Sequence, residues 1–200
     1  MFYLTRMRSI AVSMLLFPAL LALQSCKKSS GGGDAPNTSG YYLTATVGGK
    51  DWSANVPAPA LQNSPAIAAV TTVNGVNIMV MIGVKTANKD TTAIALVFPQ
   101  NLQLNKAFTF DASKSLEAAY IAEISPGSGT YYGYNTTPAT GGSGTMTITS
   151  FDQTNKVIEG TFSGVFGSQT GRAALSFTSG KFRCIYTTGS NPLLNSGLKF

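Results

Sequence analysis

The chain has 200 residues, enough for one ordinary domain, with only 11% charged residues and 21 glycines. It contains no histidine, which excludes Ser-His-Asp chemistry, imidazole acid–base catalysis and histidine metal sites. The formal charge of +6 is scattered singly apart from Lys27 and Lys28, so it forms no basic patch and points away from nucleic acid as a partner.

Residues 1–25 read as an export signal. Arg6 and Arg8 lie in a start without acids, and residues 10–23 follow with Ser13 as their one polar residue. That stretch is shorter than the ~20 residues a spanning helix needs, and Pro18 interrupts it. Leu23-Gln24-Ser25-Cys26 then gives way at once to Lys-Lys-Ser-Ser-Gly-Gly-Gly-Asp. The junction resembles the lipobox of bacterial lipoproteins. Leu23 and Ser25 fit that pattern, and Gln24 stands where a smaller residue is more usual. The resemblance implies cleavage before Cys26, acylation of its thiol and its new amine, and a lipid-anchored place at the outer membrane. Two or three acyl chains hold far more firmly than one, since each buried methylene contributes about 0.8 kcal/mol. Residues 26–40 offer almost nothing to bury and read as the lipidated flexible tether of a single β domain over residues 41–200.

From Tyr41 on, the hydrophobic period is close to two and turn residues recur. Strands are expected at 41–47 and 51–56 around Gly48-Gly49-Lys50. Asn74-Gly75, between 66–73 and 76–84, is the strongest hairpin signal, because both residues tolerate positive φ. A polar loop is expected over 85–90, then strands at 92–98 and 107–110. Residues 117–124 alternate Ala118, Tyr120, Ala122 and Ile124 with Glu117 and Glu123, a strand pattern onto which 130–135 folds back. Further strands are expected at 145–151 and at 156–166, where Ile158, Phe162 and Phe166 share a face. A last hairpin, 173–178 with 181–186, turns at Ser179-Gly180. An apolar Pro192-Leu193-Leu194 lies in the tail.

The pattern predicts an all-β domain of roughly ten strands, an antiparallel sandwich or alternatively a closed, lipocalin-like barrel. Residues 76–84 and 92–98 are apolar on both faces, so both strands should be central and covered on both sides. Met79 and Met81 form one of those apolar faces, which would line the lumen if the barrel carried a small apolar ligand.

Several motifs belong together: Gly144-Thr-Met-Thr-Ile-Thr149, Phe151-Asp152, Val157-Ile-Glu-Gly-Thr-Phe162-Ser-Gly, Ser179-Gly-Lys-Phe182 and Val47-Gly-Gly-Lys-Asp-Trp52. Together they resemble a group of uncharacterised Bacteroidota lipoproteins. The resemblance covers most of residues 41–186 and implies an all-β outer-membrane lipoprotein domain, with no catalytic residue to carry over.

The remaining chemistry is sparse. With Cys26 lipidated, Cys184 has no partner within the chain and reads as a small buried residue. Trp52 reads as core. Glu117 and Glu123 share a strand face but stand about 20 Å apart at ~3.3 Å per residue, too far for a glycosidase pair. No Asp-rich calcium loop or phosphate-binding glycine loop is present. Tyr131, Tyr132 and Tyr134 form the most distinctive polar–aromatic cluster and are a candidate surface for a sugar or protein partner. The sequence therefore reads as an envelope-anchored, non-enzymatic binding or scaffolding module. It calls for no cofactor or metal, and its partners are the membrane through its lipid and a protein or glycan. Alternatives are a carrier of a small apolar ligand and a carboxylate-based glycan hydrolase.

Overall fold

The computed structural model describes residues 40–57, 64–73, 75–87, 90–114, 116–123 and 131–188. Cys26, the tether and the Pro192-Leu193-Leu194 patch lie outside the described residues. The described chain is all-β, with eleven strands. In order they are β1 (Tyr42–Val47), β2 (Lys50–Ser53), β3 (Ala66–Val73), β4 (Val76–Ala87), β5 (Asp90–Pro99) and β6 (Ala107–Thr109). There follow β7 (Glu117–Glu123), β8 (Tyr131–Asn135), β9 (Ser143–Asp152), β10 (Val157–Ser168) and β11 (Leu175–Thr187). Among the described residues no helix is long and apolar enough to cross a membrane.

All eleven strands belong to one sheet. Its pairings run β11-β3-β4-β5-β7-β8-β10 and return from β10 to β11, so seven strands close a circuit. β1 and β2 extend from β11, and β9 and β6 from β10. The expected sandwich and barrel thus meet in one sheet packed against itself. Six junctions of the circuit are antiparallel. The seventh, β11 with β3, is parallel, pairing Ile185 with Ile67 and Thr187 with Ala69. A ring with an odd number of strands cannot alternate direction all the way round, so closure at seven requires one parallel junction. This corrects the expectation of an antiparallel sheet throughout.

Two local expectations are also corrected. Residues 85–90 are mostly strand, because Lys85, Thr86 and Ala87 pair with Thr92, Thr91 and Asp90. The stretch is polar, but β-branched threonines suit a strand. Asn55 serves Thr86 from the other side: its Nδ2 donates to the Thr86 carbonyl and its Oδ1 accepts the Thr86 N–H, both at 2.9 Å. Ser179-Gly180 is not a hairpin turn either, since β11 runs straight through it. Ser179 has φ +53°, and the register slips by one residue there against both β10 and β1. This is a β-bulge, which uses the same residue types as a turn. A side chain on Gly180 would meet the Phe162 carbonyl oxygen at 2.4 Å, so only glycine fits beside β10.

The interior is filled by alternate residues. Met79 pairs with Phe98 and Met81 with Leu96 across β4 and β5, while Leu43 pairs with Phe182 across β1 and β11. Each of these is at most 1% exposed, and fully burying such a side chain contributes about 1.5–3 kcal/mol. Phe166 stacks on Phe177 with centroids 3.8 Å apart, and Phe177 meets Tyr120 edge-on at 5.4 Å. Gly83 marks a close approach within the interior, where a Cβ would stand 2.7 Å from Leu43 Cδ2 and 2.9 Å from Ala54 Cβ. Ile78, Ile82 and Val84 of β4 and Ala93, Ala95 and Val97 of β5 are buried as well. Both faces of these strands are therefore withdrawn from water, as their doubly apolar pattern predicts.

Candidate functional site

The β4–β5 hairpin runs the length of the circuit, and an open recess lies at each of its ends. Asn77 and Lys85 of β4 belong to different recesses, about 26 Å apart along the strand at ~3.3 Å per residue.

The first recess, of about 300 Å³, is charged. Lys50, Asp51, Lys85 and Asp90 line it together with Trp52 and Tyr120. Its floor comes from β2, which the tight turn after β1 folds back so that Thr46 opposes Asp51 and Ala45 opposes Trp52. Trp52 is only 5% exposed. Its indole N–H donates to Thr92 Oγ1 at 2.8 Å, which ties β2 to the start of β5. Trp52 is thus part of the core, as its sequence context suggests, with one edge toward the recess. Lys85 Nζ donates to the Asp51 carbonyl oxygen at 3.4 Å. Asp51 and Asp90 are both exposed.

The second recess, of about 470 Å³, has no charged side chain in its lining. Val76 and Asn77 from β4, Gln100 and Asn101 after β5, Phe151 at the end of β9 and Gln153 in the following turn surround it. Val76 is 49% exposed. Phe151 is half-buried and stacks on Tyr186 with centroids 5.0 Å apart and planes 21° apart. The Asn77 side chain and the backbone beside it are held in place. Thr72 Oγ1 donates to Asn77 Oδ1 at 2.8 Å, and the Gln100 N–H donates to the Asn77 carbonyl at 3.1 Å. Asp152 Oδ1 accepts the N–H groups of Thr154 and Asn155, each at 2.9 Å. These bonds fix the turn that carries Gln153, and with the Asn155 side chain they hold the Asp152 carboxyl below the usual carboxylate range.

The residues singled out from sequence fare differently. Met79 and Met81 are 0% exposed and sit in the interior cluster; neither lines either recess. Tyr134 is corrected from a surface to an interior position. It is 5% exposed and its ring lies 6.1 Å from that of Tyr120, because β8 pairs Tyr134 with Tyr120 on the inward face. The side chains of Tyr131 and Tyr132 lie outside the described residues. Cys184 is a free, fully buried thiol whose Sγ lies 3.4 Å from Met81 Sδ. Burial pushes its pKa up, the opposite of what a reactive cysteine needs. Burial also raises the Glu117 carboxyl to about 7; it is 5% exposed, on β7 opposite Val97. Among the described residues no three Cys, Asp or Glu side chains converge on a metal-sized site.

Sequence reading missed both recesses. Their linings come from segments more than seventy residues apart, Gly75 to Gln153 in one and Val47 to Tyr120 in the other, and only the strand pairing brings those segments together. Compared with protein-family models, with curated proteins and with solved structures, the chain matches none of them.

Proposed function

We propose that this protein is an envelope-anchored lipoprotein whose β domain is a non-enzymatic binding module, held to the outer membrane through acylated Cys26. Support for the anchor is the coincidence of a basic start, a short apolar run, a cysteine and a polar tether. The motifs that resemble those of Bacteroidota lipoproteins agree with it. The observation that carries the binding reading is where the open space lies. The Met79 and Met81 face is packed shut, so the reading of a carrier with an apolar lumen loses its motive. Among the described residues, open concavities sit instead at the two ends of the β4–β5 hairpin, where a tethered domain can meet a partner from outside.

A hydrolytic reading draws on one observation, the presence of Asp51 and Asp90 in the same recess. A glycosidase needs one carboxyl kept protonated, usually by burial. Both of these are exposed and share the recess with Lys50 and Lys85, so they suit electrostatic recognition better than acid catalysis.

Two measurements test the proposal. Intact-mass analysis of protein purified from the envelope should show a chain that begins at Cys26 and carries acyl chains. An unacylated chain still bearing residues 1–25 would end the anchor. Crosslinking in intact cells, with photoreactive residues placed at Gln153 and at Asp90, should capture a discrete partner at one end. Capture at neither end would end the binding reading.

A further inference from the structure

We infer that the uncharged recess at the Asn77 end is a binding site for a neutral oligosaccharide. The inference rests on the binding-module reading and adds the ligand class. Four carboxamide residues, Asn77, Gln100, Asn101 and Gln153, line one opening. A carboxamide both donates and accepts, and so does a sugar hydroxyl, so four of them around a shallow site match a polyhydroxylated surface without selecting a charge. A charged ligand would find no counter-ion in this lining. An apolar ligand would strip water from four amides and return nothing to them.

The apolar part of the lining fits the same ligand. Val76, about half exposed, and the Phe151 ring offer flat contact for the C–H face of a pyranose. Phe151 is braced from behind by Tyr186, and Lys156 Nζ lies 5.6 Å from the Tyr186 ring centre, so the stacking surface is fixed. Asn77 and the Gln153 turn are likewise set by the bonds from Thr72 and to Asp152. Polar groups ordered before binding lower its entropic cost, which matters most for a shallow site. The volume, about 470 Å³, lies within the ~300–1,000 Å³ of ordinary ligand pockets. Its openness suits a segment of a chain that enters and leaves at the rim.

The test is calorimetric titration of the intact, detergent-solubilised protein. The neutral probes are cellohexaose, maltohexaose, mannohexaose and fully N-acetylated chitohexaose, and the charged one is hexagalacturonate. At least one neutral probe should bind and hexagalacturonate should not. Phe151→Ala should weaken binding about tenfold or more, and Asn101→Ala and Gln153→Ala each about threefold. Lys181→Ala, on the exposed side of β11, should change nothing. Asn101 and Gln153 are exposed, so their variants keep the test sharp if Phe151→Ala folds poorly. Absence of binding by every neutral probe would overturn the inference, as would affinity unchanged in all three recess variants. If glycans fail while photocrosslinking at Gln153 still captures a partner, the ligand class falls and the binding module stands.

Discussion

The two ends of the β4–β5 hairpin solve the same problem in opposite ways. At the Lys85 end, two lysines and two aspartates ring the opening and stay solvated, so their charges cost little and fade with salt. At the Asn77 end the recess is lined by neutral amides. Toward that end of β7, a carboxylate-bearing residue, Glu117, is shut away from water. One end therefore uses charge where it is inexpensive to hold, and the other keeps charge out of its opening. The difference teaches that a ligand for the first should be sensitive to ionic strength and a ligand for the second should not.

The largest expected effect belongs to Glu117. Its carboxyl is raised from 4.5 to about 7 by burial, so the folded state holds a proton that the unfolded state releases. The contribution of Glu117 to stability should be greatest below pH ~4.5, fall as pH rises toward ~7 and level off above that, a total of roughly 3 kcal/mol. Glu117→Gln should remove this slope and make the protein more stable at pH 8. Urea denaturation of both proteins across pH 4–8 checks it; identical profiles would mean that Glu117 is not shut away and that the contrast between the ends is weaker than drawn.

Next comes Gly83→Ala. The added methyl would press on Leu43 and Ala54, pushing β1 and β2 off β4 at a cost of about 2 kcal/mol. Because β2 carries Lys50 and Asp51, damage should concentrate at the charged end. Hydrogen exchange should rise in β1 and β2 and stay unchanged in the turn at Gln153. A uniform rise would mean that the two ends are not separable. Trp52→Phe should cost about 1–2 kcal/mol, since it removes the bond to Thr92 and part of a packed ring. A fall in the urea midpoint with an unchanged m-value is the expected signature.

Much of this architecture was legible in the sequence, because strands declare themselves by alternation and one buried face. The β3–β4 hairpin, the β7–β8 pair and the Ile158, Phe162 and Phe166 face all follow from period and turn chemistry. What alternation cannot say is which face is inward. Tyr134 therefore passed for surface until its pairing with Tyr120 turned it in. Ser179-Gly180 passed for a turn because a bulge and a turn call on the same residues. The parallel β11–β3 junction was illegible for another reason: it follows from how many strands close the circuit, which no local pattern encodes. Phe151, Gln100 and Gln153 were unremarkable on their own and became a site only through that closure.

The smallest expected effect is the most discriminating. Gln153 is exposed, and the turn that carries it is organised by Asp152 through the Thr154 and Asn155 amides. Gln153→Ala should therefore leave stability within ~0.5 kcal/mol of the parent, whatever it does to binding. The charged end differs, because its residue Trp52 is at once lining and core, so a change at Trp52 moves stability and recognition together. If Gln153→Ala lowered the urea midpoint as far as Trp52→Phe, the amide end would be structural as well, and its side chains would be explained by folding rather than by a ligand. An unchanged midpoint would leave the Gln153 amide at the opening with no structural task that accounts for its being there.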